Sequence, residues 1–249
     1  GGAQPIPKEE ERGRQGMIQF HHVSKRYLTH LAVDDLSFSL PQGKVVGIVG
    51  ENGSGKSTTL KLMAGLIKPT RGTVTIAGQP VDRRICRMVS YLSELDAYYP
   101  FFTVGETIDF YKSQFADFDA EKAEAILKFM DLKREVKVKH LSKGNRGRVK
   151  IVCTLARNVP VILMDEPLSG LDPMVRESIV KGLISFVDLE KQTVVITTHE
   201  IKEVEHVLDT VLLLKGGRLI GIEDVENIRS AQQLGIVEWM KQRYERVEE

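Results

Sequence analysis

Eight consecutive residues constrain the fold more than any other part of the chain. Gly50-Glu51-Asn52-Gly53-Ser54-Gly55-Lys56-Ser57 matches the pattern G-x-x-x-x-G-K-[ST] and follows the apolar run Val45–Val49. Glycines allow a loop to bend through positive φ and to bring backbone N–H groups close to an anion. A strand before such a loop and a helix after it predict an α/β fold in which the helix N-terminus faces a phosphate group.

The side chains of this loop match the needs of a nucleoside triphosphate with Mg²⁺. Lys56 offers a full positive charge to the β- and γ-phosphates and is also predicted to be catalytic, and the Ser57 hydroxyl is a hard-oxygen ligand for Mg²⁺. The alternative is a glycine turn that only begins a helix. We predict ATP and Mg²⁺ as cofactors and an ATP-binding segment of Gly50, Glu51, Asn52, Gly53, Ser54, Gly55, Lys56, Ser57 and Thr58.

Two carboxylates follow a second apolar run, Val161–Met164. Ligands in α/β folds bind at the carboxyl ends of strands, so Asp165 and Glu166 are placed to complete the same site. Asp165 suits the Mg²⁺ shell, through water, and Glu166 suits the attacking water as base or orienting group. Apolar strands often end in acids, so this assignment depends on the phosphate loop.

Apolar strands alternate with helical stretches through most of the chain. The predicted strands are Met17–Val23, Lys44–Val49, Gly72–Ala77, Met88–Leu92, Val161–Met164, Thr193–Thr197 and Thr210–Leu214, and the helices between them are Lys56–Leu66, Pro173–Val187 and Ile201–Val207. Continuous runs of Val, Ile and Leu indicate strands buried on both faces of a sheet. We predict an α/β fold: a P-loop, RecA-like core with a largely parallel sheet and an antiparallel β edge.

A helical insert interrupts this alternation. Thr103–Phe115, Ala120–Met130 and Ser142–Arg157 are predicted helices, with Thr103 and Ser142 as N-caps, and they predict an all-helical subdomain at about 95–158.

The stretch 235–249 predicts a last helix with one apolar face, formed by Ile236, Trp239, Met240, Tyr244 and Val247. We expect this face to pack on its own domain or on a second copy, and a membrane-surface helix is the alternative.

Four shorter motifs resemble those of ABC ATPases, in the order of that family. Leu141-Ser142-Lys143-Gly144-Asn145 resembles the signature LSGGQ, and Ser169-Gly170-Leu171-Asp172 resembles the D-loop. His199 is similar to the switch histidine, and Tyr27 to the aromatic residue that stacks on adenine. With the phosphate loop and the acidic strand, the resemblance extends over Ile18–Gly221. Taken alone, each motif is more often structural, as an N-cap, a buried histidine or a packed tyrosine.

The resemblance implies a site shared by two chains. Ser142 and Gly144 would face the γ-phosphate held by the phosphate loop of a partner chain, and Asp172 would join the ATP site. ATP would then bridge two subunits until hydrolysis, with Glu166 and His199 as catalytic residues, removes the bridge. The implied partners are a second ATPase subunit, in a homodimer or a heterodimer, and a transmembrane permease.

Three residues depart from the family pattern. Lys143 replaces the first signature glycine and Asn145 replaces the glutamine; the Lys143 ammonium is expected either near the partner's ATP or in solvent. Glu94 stands where the family has the Q-loop glutamine, and it is predicted as a Mg²⁺ ligand. Similar glutamates occur in the ABC-2 exporter group, which Tyr98-Tyr99-Pro100 and Thr103-Val104-Gly105-Glu106 also resemble.

Domain limits follow from these motifs. Residues 1–16 are predicted as a disordered tail or a remnant left by cloning, 17–221 as the ABC ATPase domain and 222–249 as a C-terminal helical extension. We predict an ATPase that powers transport, with export favoured. The alternatives are a non-transport ABC ATPase or a nucleotide-gated regulatory module.

Charge and composition narrow the location and the partners. The formal net charge of +1 gives no reason to expect nucleic acid, and no apolar run approaches the about 20 residues that a membrane helix needs. With only two cysteines, the chain is expected in the cytoplasm, held on the inner face of the cell membrane by its permease. The basic stretch 133–150 is a patch toward ATP or headgroups, or a solvated face.

Overall fold

The structure is a computed structural model that describes residues 16–94 and 99–248. Of the predicted N-terminal tail only Gly16 is described. Tyr98, which contributes to the exporter-like resemblance, and the expected start of the helical subdomain near residue 95 also lie outside the described residues.

Ten strands and seven helices make up the described part of the chain. The strands are β1 (Ile18–Tyr27), β2 (His30–Leu40), β3 (Val45–Val49), β4 (Arg71–Ile76), β5 (Gln79–Pro80), β6 (Val89–Leu92), β7 (Val161–Asp165), β8 (Thr193–Thr198), β9 (Thr210–Lys215) and β10 (Arg218–Asp224). The helices are α1 (Lys56–Met63), α2 (Val104–Gln114), α3 (Ala120–Phe129), α4 (Lys143–Leu155), α5 (Pro173–Phe186), α6 (Val225–Ser230) and α7 (Ile236–Glu248). Short 3₁₀ turns occur at Arg83–Arg87, Val138–His140 and Ile201–Glu203.

The larger sheet has six strands in the order β10-β9-β3-β8-β7-β6. All neighbours are parallel except β9 and β10, which confirms the largely parallel sheet. Every residue of β7 and β8 is buried, because helices and the second sheet cover both faces. Since β8 lies between β3 and β7, the carboxyl ends of all three strands meet at one edge.

A separate antiparallel sheet, in the order β2-β1-β4-β5, covers helix α1. Phe20 and Phe38 stack between its strands with ring centroids 4.5 Å apart. Strand β2 was not predicted, because its alternation breaks at Asp34 and at Asp35, which has φ 53. The sheet confirms the predicted antiparallel β component.

The segment 104–155 holds helices α2, α3 and α4. Ser142 caps α4 by accepting the N–H of Asn145 over 3.1 Å, and Thr103 caps α2 in a reciprocal capping box with Glu106. Both predicted N-caps are therefore present. Buried residues of α3 and α4, including Ile126 and Val152, share one core with the larger sheet.

The prediction of a helix at Ile201–Val207 is wrong. The chain makes a 3₁₀ turn at Ile201–Glu203, which has no side-chain cap, and Val204 leaves the helical region at φ −121. Burial of Ile201, Val204 and Leu208 produces the apolar spacing that suggested a helix. These side chains anchor a turn beside the core.

The C-terminal region packs on the domain. Strand β10 runs through residue 222, the predicted start of the C-terminal extension, and ends at Asp224, because Glu223 and Asp224 pair with β9. On α7, Ile236 and Trp239 are each 1% exposed, whereas Val247 is 52% exposed. The apolar face thus packs on its own domain, except at its last member. Among the described residues, no helix combines the length and the apolar character that crossing a membrane requires.

Candidate nucleotide site

The phosphate loop connects β3 to α1 at the edge where the parallel strands end. Gly55 has φ 99, and a Cβ there would lie 2.6 Å from the backbone oxygen of Ala32, so only glycine fits. Gly55 is also the N-cap of α1 and supplies no side-chain cap. The first N–H groups of α1 therefore remain available to an anion.

Lys56 lies folded back over this loop. Its Nζ donates to the backbone oxygens of Gly50 over 2.8 Å and Glu51 over 2.9 Å, and it stands 3.9 Å from Glu166 Oε1. Burial lowers the pKa of the ammonium, while the nearby carboxylates, Glu166 first, act in the opposite direction. The cation is thus held within the loop rather than directed at solvent.

Asp165 is the centre of a buried hydroxyl cluster. Its Oδ1 accepts from Ser57 Oγ over 2.9 Å and from Thr197 Oγ1 over 2.7 Å, and its Oδ2 accepts from the hydroxyl of Tyr91 over 3.3 Å. The side chain is 2% exposed. Sequence reasoning missed Thr197 and Tyr91. Knowledge of the strand order would have identified them, because they lie on β8 and β6, the neighbours of β7 in the sheet.

Glu166 follows the strand in a left-handed conformation, φ 46, which is uncommon for a residue with a side chain. Its N–H donates to Thr197 Oγ1 over 2.9 Å, and its Oε2 lies 2.9 Å from His199 Nδ1. Burial raises the pKa of the carboxyl group, and His199 and Lys56 oppose the shift. The strained turn aims this carboxylate at the space above the phosphate loop.

Lys56, Glu166 and His199 line one cleft of about 550 Å³, together with Ser57, the hydrogen-bond partner of Asp165. Its lining contains Tyr27, His30, Ala32, Asn52, Gly53, Gly55, Lys56, Ser57, Thr58, Glu94, Glu166, Ser169 and His199. Tyr27 lies at the mouth, 42% exposed, with the Lys25 ammonium 5.1 Å from its ring centre. The structure therefore brings together most of the predicted site residues of a single chain.

Seven predicted residues are not part of this lining. Gly50, Glu51, Ser54 and Asp165 adjoin residues that are, and the other three, Ser142, Gly144 and Asp172, lie on other segments. Ser142 is exposed at the start of α4, and Gly144 is buried, where a Cβ would lie 2.8 Å from the Val175 side chain. Asp172 caps α5 by accepting the N–H groups of Met174 and Val175, each over 3.1 Å. In one chain, each of these residues serves a helix start or close helix packing.

Lys143 lies against the D-loop of its own chain. Its ammonium occupies the space beside Gly170, where a Cβ would collide with it. It also lines a second cleft of about 320 Å³ together with Glu94, Glu166 and Ser169. Lys143 is exposed at this position. Asn145 accepts from the Arg148 guanidinium over 3.1 Å.

The basic stretch 133–150 is partly tied into its own fold. Lys150 Nζ donates to the backbone oxygens of Ser93 over 3.1 Å and Glu94 over 3.0 Å. Arg134 pairs with Asp109 and Glu124. These pairings favour a solvated structural face over a patch for headgroups.

The oxygen ligands suit Mg²⁺ bound with a nucleotide. A hydroxyl, Ser57, and a carboxylate, Asp165, lie 2.9 Å apart, and Glu94 lines the same cleft. Within residues 16–94 and 99–248, no cluster of three or more His, Cys, Asp or Glu side chains could hold a metal ion alone. Mg²⁺ usually takes one or two carboxylates and completes its shell with phosphate oxygens and water, so this set fits.

Comparison with known proteins agrees with the fold and the site. The family model described as ABC transporter matches residues 33–169. The Nod factor export ATP-binding protein I of Burkholderia orbicola is 36% identical over 212 residues, which are 82% of this chain and 69% of that protein. An uncharacterized ABC transporter ATP-binding protein of Methanocaldococcus jannaschii is 29% identical, over 90% of this chain and 82% of that protein.

Solved structures give the same result. A dimeric ATP-binding cassette in a post-hydrolysis state, bound to ADP and Pi, superposes with a TM-score of 0.75 at 27% identity, over 84% of this chain and 98% of that chain. The structure of an ATP-binding subunit of an ABC transporter superposes with a TM-score of 0.80 at 24% identity, over 92% of this chain and 99% of that chain, which supports the fold. The chain belongs to the ABC transporter family. Within that family it is the ATP-binding and ATP-hydrolysing subunit that powers transport.

Proposed function

We propose that this subunit drives export through a membrane permease and that it hydrolyses ATP with Glu166 as the group that activates water. The observation that carries the proposal is the convergence of Lys56, Ser57 and Asp165 with the Glu166–His199 pair in and beside one cleft. A carboxylate next to a held imidazole can take or orient a proton of water. The strained backbone at Glu166 fixes the direction of that carboxylate.

ATP binding is divided among the remaining residues of the cleft. Lys56 and the N–H groups of the phosphate loop hold the β- and γ-phosphates, and Tyr27 at the mouth stacks on adenine. Ser57, Asp165 and Glu94 hold Mg²⁺, which neutralises charge on the phosphates when bound. The Glu94 carboxylate adds negative charge next to the triphosphate. The Lys143 ammonium, which lines the adjacent cleft together with Glu94, offsets part of that negative charge.

The second half of each ATP site comes from a partner copy in a homodimer. Ser142, Gly144 and Asp172 lie outside the cleft of their own chain, and exposed Ser142 opens a helix whose N-terminus suits an anion. A solved cassette that is 27% identical is dimeric. ATP held between Lys56 of one copy and Ser142 of the other then draws the copies together, and hydrolysis releases them.

The permease binds at an aromatic groove between the larger sheet and the helical segment. This groove has a volume of about 490 Å³, and its lining includes Tyr91, Tyr99, Phe102, Phe110 and Tyr111. Tyr99 is 50% exposed and Phe110 38%. Exposed aromatic side chains around a concave surface suit the apolar face of a helix, which a permease can present from the membrane.

Location and direction follow from this partner. Docking through the groove places the subunit at the cytoplasmic face of the membrane. Several relatives are named Nod factor export ATP-binding protein, which supports export, and the cargo belongs to the permease. We assign residues 17–224 to the ATPase domain, with a helical subdomain at about 95–158, and the rest to a C-terminal extension.

A mixing experiment tests the shared site. Lys56→Ala removes the cation of the phosphate loop and should abolish ATP binding in its own cleft. Ser142→Arg should leave ATP binding intact and stop hydrolysis, because Ser142 serves the other copy.

A mixture of the two variants forms some dimers with one intact composite site, and these should recover part of the wild-type ATPase rate. Each variant alone at the same total concentration is the control. If no mixing ratio exceeds the sum of the two controls, the shared-site proposal is wrong.

A further inference from the structure

Tyr91 lies between the aromatic groove and the Asp165 carboxylate. Its ring forms part of the groove wall, and its hydroxyl donates to Asp165 Oδ2 over 3.3 Å. Strand β6 fixes this position, because Tyr91 pairs with Leu163, two residues before Asp165 on the neighbouring strand. One side chain thus contacts both the proposed docking surface and the proposed Mg²⁺ site.

The hydrogen bonds of Asp165 show that the contact with Tyr91 affects the orientation of its carboxylate. Its Oδ1 is held by Ser57 and Thr197, and Tyr91 holds the other oxygen, Oδ2. The carboxylate is almost fully buried, so water cannot easily replace a lost donor. With hydroxyl groups on both oxygens, the carboxylate cannot rotate without breaking a hydrogen bond. Tyr91 therefore controls the orientation of the group that faces Mg²⁺.

We propose that Tyr91 is a positioning residue that transmits the packing of the aromatic groove to the Asp165 carboxylate and so sets the Mg²⁺ dependence of ATP binding. An occupant that presses on the ring shifts the hydroxyl relative to Oδ2, because ring and hydroxyl are one rigid unit. The proposal rests on the proposed Mg²⁺ site, and it extends that site from the nucleotide cleft to the groove.

The first test compares two matched variants. Tyr91→Phe keeps the ring and removes the hydroxyl. Tyr111→Phe makes the same change at another groove residue, which lies on α2 and not on the strand beside Asp165. ATP affinity is measured by titration with a fluorescent ATP analogue at increasing Mg²⁺ and without Mg²⁺. Tyr91→Phe should raise the Mg²⁺ concentration for half-maximal enhancement roughly tenfold, the loss expected for a hydrogen bond to a charged group, and leave Mg²⁺-free affinity near wild type. The melting temperature should fall, because the buried carboxylate loses one donor.

The second test fills the groove. Cys86 is exposed and lines the groove, whereas Cys153 is buried, so a bulky maleimide should label Cys86 selectively. Labelling should shift the Mg²⁺ midpoint of the wild type and should not shift that of Tyr91→Phe further. Cys86→Ser treated with the reagent is the control. An equal shift in both proteins, or none in the wild type, overturns the role of Tyr91 as the connection.

The Asp165→Asn variant distinguishes a failure of the proposed Mg²⁺ site from a failure of the inference about Tyr91. If Asp165→Asn changes the Mg²⁺ dependence and Tyr91→Phe matches Tyr111→Phe, the inference about Tyr91 is wrong and the proposed metal site stands. If Asp165→Asn leaves the dependence unchanged, both are wrong. If Tyr91→Phe and Asp165→Asn change it in the same direction, with Tyr111→Phe at the wild-type value, the inference is supported.

Discussion

Thr197 holds two parts of the site together, and its replacement gives a prediction that can be worked from the structure. Its fully buried hydroxyl donates to Asp165 Oδ1 over 2.7 Å and accepts the N–H of Glu166 over 2.9 Å. Thr197→Val keeps the shape and removes both bonds. A hydrogen bond to a charged group contributes about 1.5–3 kcal/mol, and an unpaired buried N–H costs about 1–3 kcal/mol.

The expected loss of stability is therefore about 3 kcal/mol or more. For a chain of this size, 1 kcal/mol corresponds to roughly 2–4 °C, so the melting temperature should fall by about 6–12 °C. Thr193→Val is the matched control: it lies on the same strand, is equally buried, and accepts only the N–H of Gly43. The control should lose about 1–3 kcal/mol, the cost of one unpaired N–H.

The assay is thermal melting of the nucleotide-free protein, followed by circular dichroism, with the ATPase rate measured on the same samples. Thr197→Val should also slow hydrolysis, because both carboxylates of the site lose a fixed orientation, whereas Thr193→Val should retain the wild-type rate. Equal losses of melting temperature and equal ATPase rates in the two variants would refute the reasoning.

Three further predictions concern other parts of the chain. Glu94→Gln should retain basal ATPase because it keeps a side-chain oxygen for Mg²⁺, whereas Glu94→Ala should lose activity or require more Mg²⁺; identical behaviour of both variants and the wild type would exclude a metal contact. Trp239→Ala should lower the free energy of unfolding by about 3–5 kcal/mol in urea melts, because it empties a buried site against Gly221; a loss below 1 kcal/mol would contradict this packing. Burial raises the pKa of Glu166, so its ionisation costs stability as pH rises through that raised pKa. Glu166→Gln should therefore melt at a higher temperature than wild type near pH 8, with a gain that shrinks as pH falls below the raised pKa, and a gain that does not change with pH would refute this.

Much of the fold could be predicted because its signals are local. The buried strands β3, β7 and β8 are continuous apolar runs, and the caps at Thr103 and Ser142 are short-range patterns. Strand β2 escaped prediction because a bulge breaks its alternation. The turn at Ile201 was mistaken for a helix because burial against the core produces the same spacing as a helical face.

In the site, too, the features with local sequence signals could be predicted and the contacts between distant segments could not. The phosphate loop and the two carboxylates follow strands directly, so their sequence context sufficed. Thr197 and Tyr91 reach Asp165 only because β8 and β6 flank β7 in space, and one sequence does not give strand order. The contact of Lys143 with Gly170 joins two helix starts that are distant in sequence, and it depends on how α4 packs on α5.

The central claim is that ATP joins two copies of this chain until Glu166 triggers hydrolysis. Glu166→Gln keeps the shape of the side chain and removes its basicity, so ATP should bind and turnover should fall by about two orders of magnitude or more. Light scattering on a sizing column measures the mass of this variant directly. The control is the double variant with Lys56→Ala, which should remain monomeric with any nucleotide.

We predict a monomer without nucleotide, a dimer at saturating Mg-ATP and a monomer again with ADP. The measurement is made at low salt, so that screening does not weaken contacts between charged surfaces. A monomeric mass for Glu166→Gln at saturating Mg-ATP under these conditions, or a wild-type rate of hydrolysis in this variant, would contradict the account.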